Sequence, residues 1–142
     1  MSKAQTKRET RLDGLNSAAE NAKGWLASIE EMLAEQQAEI DNRGASDDDG
    51  ARRRIEESVL SVQVRSGWYS PGRESREDAD PEEYEILLTT GGPGLRIFGR
   101  LNEHCEPSSA ELQMQDWGTP WTRYPAPEAT LLDFARVFWF GE

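Results

Sequence analysis

Apolar residues recur at alternating spacings of three and four positions along the first part of the chain, with one position skipped before the last. The series consists of Leu12, Leu15, Ala19, Ala22, Leu26, Ile29, Leu33 and Ile40. This heptad pattern predicts a long helix whose apolar stripe forms the seam of a coiled coil or a helical hairpin. Gly44 predicts the end of that helix near residue 43. Ser46 and Asp49 have the spacing of a capping box, which predicts a second, short helix over residues 47–58.

From Val59 onward, apolar residues alternate with polar ones, which is the pattern of half-buried strands. Four such stretches are present, with the inward residues Leu60, Val62, Val64 and Trp68; Tyr84, Ile86 and Leu88; Leu95, Ile97 and Leu101; and Leu112 and Met114. Their compact connections favour an antiparallel meander. Pro127 and the apolar residues after it, through Trp139, predict a final amphipathic helix that covers the sheet. The expected fold is α+β, with a helical arm over 1–58 and a compact sheet-and-helix domain over 59–142.

The charge of the chain restricts its partners. The 142 residues include 16 basic and 27 acidic side chains, which give a net charge of −11. Free nucleic acid is therefore not expected as a ligand, because phosphate binding needs a basic surface. No apolar run is long enough for a membrane span or a signal peptide, and a single cysteine, Cys105, suggests a reducing compartment. We expect a cytoplasmic protein that does not bind membranes.

Residues for catalysis are scarce. His104 is the single histidine and stands next to Cys105, but neighbouring residues on a strand point to opposite faces. A metal site would need three or four ligands, and the other candidates are carboxylates. The expected reading is a loop histidine, without catalytic residues, metal or cofactor.

A strongly acidic stretch offers a different kind of site. Residues 74–85 contain seven acids and one base. The stretch is interpreted either as a solvated loop or as a negative strip that meets a basic groove on a partner. In the second interpretation the contacting acids are Asp78, Asp80, Glu82 and Glu83.

Aromatic residues near turns are the second element of this partner surface. Trp68 and Trp117 are predicted to pack in the core, at the ends of strands. Trp121 and Tyr124 lie beside prolines, where a partly exposed aromatic ring can anchor an interface. The predicted partner surface therefore combines the acids with Trp121 and Tyr124.

An alternative site uses arginine. Arg96 and Arg100 share the outward face of a strand with Phe98, and Arg65 and Tyr69 lie near the end of another strand. Two guanidinium groups around an aromatic ring can hold a phosphate and stack a base, which predicts a nucleotide or another small phosphorylated ligand. The same arginines can instead pair with carboxylates on adjacent strands.

Four blocks of the sequence carry a resemblance. The blocks are VRSGWYSPG, EYEILLTTGGPGLRIFGRL, QDWGTPWT and FWFGE. Over residues 59–142 they resemble a family of small acidic proteins encoded by bacteriophages and prophages. The resemblance implies action in the host cell cytoplasm as a non-enzymatic inhibitor that binds a host defence protein, as anti-CRISPR and anti-restriction proteins do. It carries no catalytic residues to this chain.

The apolar stripe of the first helix predicts an assembly. At 1.5 Å per residue the stripe spans about 43 Å, whereas a helix over 47–58 covers about 18 Å. Much of the stripe would stay exposed in a monomer, and long exposed stripes mark interfaces. A homodimer through the N-terminal helices is expected, with contacts at Leu12, Leu15, Leu26, Ile29 and Leu33.

Overall fold

The computed structural model has an α+β fold, as the sequence predicts. Its elements are α1 (Lys3–Asp41), α2 (Gly50–Ser58), β1 (Ser61–Ser66), β2 (Pro81–Thr89), β3 (Gly94–Arg100), β4 (Glu111–Gln115), β5 (Thr122–Tyr124) and α3 (Glu128–Ala135). The structure describes the backbone of residues 3–42, 50–68, 80–91, 93–116 and 119–140, and the side chains of these ranges from Asn16 onward.

The strands form one antiparallel meander in the order β1-β2-β3-β4-β5. The prediction of a meander is confirmed, but the prediction of four strands is wrong, because β5 adds a fifth. This strand has only three residues and lies between Pro120 and Pro125. Its sequence lacks the alternation of apolar and polar residues by which the other strands are recognised.

The inner face of the sheet forms the core. Along β2, buried residues alternate with less buried ones, and Tyr84, Ile86 and Leu88 point inward. Leu95, Ile97 and Leu112 are fully buried on the neighbouring strands. The helix α3 covers this face with its own buried residues, Leu131, Phe134 and Ala135. The predicted inward residues of β2, β3 and β4 therefore lie in or against the core, as expected.

The long helix α1 also packs on the sheet, mainly across β3 and β4. Ala22, Ile29 and Met32 belong to the same buried cluster as the inner face of the sheet, and Leu26 and Leu33 pack against it. The segments 1–58 and 59–142 thus share one core. The premise of the predicted dimer, a stripe without a partner in its own chain, is wrong at Leu26, Ile29 and Leu33. The side chains of Leu12 and Leu15 lie outside the described residues.

Two side chains of α1 form hydrogen bonds with α2. The helix α1 ends at Asp41, two residues before the predicted end. The backbone N–H of Ala51 donates to Oε2 of Glu39 at 2.9 Å, so α1 caps the start of α2. Arg54 of α2 donates to Oε1 of Glu35 at 2.6 Å. The predicted capping box at Ser46 lies outside the described residues.

The inner face of β1 is more exposed than the inner faces of β2 and β3. The register places Val62 opposite Ile86 and Val64 opposite Tyr84, so both valines are on the inner face of the sheet. Their exposed fractions are nevertheless 36% and 44%, and that of Leu60 is 59%. The described contacts of α1 with the sheet are made mainly to β3 and β4, and these side chains of β1 are more exposed than their partners on β2.

The last helix is shorter than predicted. It ends at Ala135, and the chain then turns, with the N–H of Phe138 donating to the carbonyl oxygen of Ala135. Phe140 is buried and its ring lies 4.9 Å from that of Tyr84, whereas Trp139 is 76% exposed. The turn therefore separates the two aromatic side chains, one into the core and one to solvent.

Candidate functional site

An open cleft of about 1180 Å³ lies where β1 and β3 end and β2 begins. It is lined by Arg65, Trp68, Asp80, Glu82, Glu83 and Arg100, together with residues of the loop after β3. The cleft brings together three of the acids predicted to contact a partner, Asp80, Glu82 and Glu83. The fourth, Asp78, lies outside the described residues.

One wall of the cleft is an ion pair across β1 and β2. Arg65 and Glu83 are register partners, and two nitrogens of the guanidinium donate to the two carboxylate oxygens at 2.9 and 3.2 Å. The hydrogen bonds from Arg65 lower the pKa of Glu83, and the same contact raises the pKa of Arg65. This carboxylate is therefore neutralised within the chain.

The chain passes close to Glu82 as it leaves β1. A Cβ atom at Gly67 would lie 2.7 Å from Oε1 of Glu82 and closer to its Oε2, so a larger residue here would displace the flexible end of the Glu82 side chain. The next residue, Trp68, is fully exposed, with a relative accessibility of 105%. The prediction that Trp68 packs in the core is wrong, since the chain has left the sheet at Gly67.

The opposite wall is a tight loop after β3. The side-chain oxygen of Asn102 accepts hydrogen bonds from the backbone N–H groups of His104 and Glu106 at 2.8 and 3.0 Å. Cys105 adopts a φ of 59°, in the left-handed region. The loop is held to β2 because the N–H of Leu101 donates to the carbonyl oxygen of Glu82 at 2.8 Å.

His104 is an exposed loop residue. Its Nε2 lies 3.4 Å from a carboxylate oxygen of the adjacent Glu103, and both side chains are largely exposed. Cys105 is a free, half-buried thiol in the same loop. Among the residues that the structure describes, no group of three or more His, Cys, Asp or Glu could hold a metal ion.

The cleft has an excess of unpaired acid. Asp80 and Glu82 form no ion pair with any described residue, and both are exposed. Arg100 likewise forms no ion pair among the described residues. Its charge nevertheless helps to lower the pKa of Glu83. Among the described residues that line the cleft, Arg65 and Glu83 form an ion pair, which leaves the three acids Asp80, Glu82 and Glu103 with one base, Arg100.

The predicted aromatic part of the partner surface lies elsewhere. Trp121 is 3.5 Å from the position of a Cβ on Gly94, at the start of β3, whereas the cleft lies at Arg100, the end of that strand. A strand of this length spans about 20 Å. Tyr124 packs against the core. The aromatic residue of the cleft is instead Trp68, which the sequence pattern predicts to lie in the core. Its position next to Gly67, at the end of a strand, is the feature of the sequence that could have indicated exposure.

The alternative phosphate site is occupied by side chains of the chain itself. Arg96 donates to Glu85 at 2.6 Å and to Gln113 at 2.7 Å, and its guanidinium lies 4.3 Å from the ring of Trp121. Arg65 and Arg96 both lie against the ring of Phe98, at 5.5 and 4.9 Å. The interpretation that Arg96 and Arg100 pair with carboxylates on adjacent strands is confirmed for Arg96, whereas Arg100 forms no ion pair with a described residue. Arg65 forms such a pair as well.

Two residues of that predicted site remain, Arg100 and Tyr69. Arg100 lies in the cleft, and Tyr69 lies outside the described residues. Ligand binding at this site remains a prediction. A phosphate would have to displace Glu85 or Glu83 from its arginine.

Comparison with protein-family models finds no matching family, and comparisons with curated proteins and with solved structures find no match either. The resemblance to bacteriophage proteins therefore stays a prediction. Within the described part of the chain, no helix is both long and apolar enough to cross a membrane.

Proposed function

We propose that this chain is a non-enzymatic protein that binds a basic segment of a partner protein in the cleft between β1, β2 and the loop after β3. The observation that supports the proposal is the pairing pattern. Asp80 and Glu82 stand without described ion-pair partners beside a fully exposed Trp68, in a cleft open to solvent.

The chemistry of these groups suits a lysine or arginine side chain. A cation over the face of an exposed tryptophan is attracted by the ring, and a carboxylate at the rim accepts charge-assisted hydrogen bonds from the same cation. Tryptophan is also among the residues that most often dominate binding energy at protein interfaces. Trp68 is therefore the proposed anchor, and Asp80 and Glu82 are the proposed charge partners.

The overall charge supports the same class of partner. A chain of net charge −11 attracts a basic surface over a distance, which raises the rate of association at low salt. The resemblance of residues 59–142 to bacteriophage proteins suggests that the partner is a host defence protein, which the chain would inhibit by stoichiometric binding in the host cytoplasm. This step rests on the resemblance, whereas the cleft itself is the basis for a basic partner.

A charge-reversal experiment tests the cleft. A double variant, Asp80→Lys with Glu82→Lys, should bind a labelled nona-arginine peptide at least ten times more weakly than the wild type. Affinity would be measured by fluorescence anisotropy at about 50 and 200 mM salt, because screening of exposed charges grows over this range. The matched control is Glu30→Lys with Glu31→Lys, which makes the same charge change on exposed positions of α1.

The comparison of the two double variants decides the result. If both weaken binding equally, the peptide responds to net charge alone and the cleft is not the site. Trp68→Ala should weaken binding without any change of charge, by about tenfold for a contact worth 1.4 kcal/mol. The wild type and the two double variants would then be used as bait in lysate of a bacterial host. A true partner is retained by the wild type and the α1 control but lost from the cleft variant.

A further inference from the structure

The two edges of the sheet differ in how they are protected. The edge strand β5 has three residues and is bounded by Pro120 and Pro125, which block pairing with another strand. The other edge strand, β1, has six residues and contains no proline. Among the described residues, β1 pairs with β2 alone. With respect to the described ranges, its outer edge therefore has unpaired backbone groups, to which a further strand can bind.

The side chains of this edge are apolar and exposed. Val62 and Val64 lie on the inner face of the sheet but are 36% and 44% exposed, and Leu60 just before the strand is 59% exposed. The three positions continue the inner face that α1 and α3 cover further along the sheet. A strand added at β1 with apolar residues on the same face would extend the core.

The charge around β1 favours a second copy of this chain as the occupant. Two copies with a net charge of −11 repel each other, so contact requires a region without acids. The strand β1 contains no Asp or Glu, and the acids paired with it, Glu83 and Glu85, lie on β2, on the side away from the outer edge. The single charge of the strand, Arg65, is already neutralised by Glu83.

The helix α1 is less suited to pairing with itself. Between Glu20 and Asp41 it carries six acids and one base, and its apolar residues from Ala18 to Met32 are turned to the sheet. A dimer through this part of α1 would place like charges against each other. Its apolar contacts would also require side chains that are already buried in the core. The favourable surface for self-association is thus β1 rather than the predicted helical seam.

We propose that β1 pairs antiparallel with β1 of a second copy, about a two-fold axis at Gln63, to form one continuous sheet. The sequence of the strand, SVQVRS, is self-complementary in this register. Val62 lies opposite the second copy's Val64 on the inner face. Arg65 lies opposite the second copy's Ser61 on the outer face, so no like charges are opposed.

The assembly is tested by light scattering on the full chain at 10–200 micromolar, about the range in which a small interface associates. The wild type should be a dimer at the upper concentrations. Val62→Lys with Val64→Lys should give a monomer, with at least a tenfold weaker association. The control is Thr122→Lys, which places a lysine on an exposed position of the opposite edge strand and should leave the dimer intact.

The register is tested by cross-linking. In a Cys105→Ser background, Gln63→Cys places two thiols across the two-fold axis. Opposed Cα atoms in an antiparallel pair are about 4.5–5.5 Å apart, within the range of a disulfide. Ser61→Cys is the matched control, because its two copies would lie four residues apart along the strands, about 13 Å. Oxidation should link the Gln63→Cys chains and leave the Ser61→Cys chains unlinked.

Several results would overturn the proposal. One is a wild type that stays monomeric at 200 micromolar, and another is a dimer in which Gln63→Cys forms no disulfide between chains. A dimer that the double lysine variant leaves unchanged would place the interface elsewhere. Circular dichroism of each variant excludes loss of the fold as the cause of a monomer. These measurements contain no partner or peptide, so their outcome leaves the proposed binding of a basic partner to its own test.

Discussion

Replacing Ile29 by alanine is expected to lower the free energy of unfolding by about 2–5 kcal/mol, the range for removing a large aliphatic side chain from a core. Ile29 has no exposed surface and belongs to the cluster that joins α1 to the inner face of the sheet. The substitution leaves a cavity between α1 and the strands it covers. Urea unfolding followed by circular dichroism gives the change in free energy.

Ile40 provides the control for this prediction. It belongs to the same apolar series in the sequence and to the same helix, but it is 48% exposed. Ile40→Ala should change the free energy of unfolding by less than about 0.5 kcal/mol, as is usual for surface substitutions. If α1 were instead an arm that pairs with another copy, the two substitutions would have similar effects on the free energy of unfolding. That outcome would contradict the packing of α1 on its own sheet.

The buried residues of β2, β3 and β4 were predictable because the alternation of apolar and polar residues is a local feature of the sequence. Tyr84, Ile86 and Leu88 alternate with less buried residues, and this alternation by itself specifies which face is buried. The strand β1 has the same alternation, yet Val62 and Val64 are partly exposed. The pattern indicates which side chains share a face, but whether that face is covered depends on the path of α1, which is distant in sequence.

The partner of α1 was not predictable from its heptad pattern. A stripe of residues such as Leu26, Ile29 and Leu33 has the same spacing whether it packs on another helix or on a sheet. The helix is also rotated from the predicted seam, since Ala18 and Met32 are buried and Ile40 is not. The spacing of apolar residues defines the buried face of a helix to within about one position. Tertiary contacts then determine which residues near that face are buried.

The cleft shows the same division between local and distant information. The sequence identifies Asp80, Glu82 and Glu83 as a charged group, because they lie close together in the chain. The ion pair that removes Glu83 from this group comes from Arg65, 18 residues earlier. The exposed position of Trp68 depends on the way the chain leaves β1 beside Glu82. The sequence therefore predicted the acids but not which of them remain unpaired.

Gly99 is a position at which a contact with a segment distant in sequence determines which residues are tolerated. A Cβ atom there would lie 2.8 Å from the carbonyl carbon of Ser109 and closer still to its oxygen. That same oxygen accepts a hydrogen bond from the buried Tyr84 hydroxyl at 2.7 Å, and burial raises the pKa of this hydroxyl. A glycine inside a strand often marks such an approach of another backbone segment.

Gly99→Ala is accordingly expected to lower the free energy of unfolding by about 3 kcal/mol, the upper end of the usual cost of overpacking. The added methyl group meets backbone rather than a flexible side chain, so relief requires the segment at Ser109 to move and to lose its hydrogen bond from Tyr84. Gly24→Ala is the matched control. A Cβ at Gly24 meets nothing within 4 Å, and alanine in a helix interior should stabilise the protein by up to about 1 kcal/mol. Urea unfolding should therefore show changes of opposite sign for the two substitutions. A Gly99→Ala variant as stable as the wild type would mean that Ser109 does not lie over β3.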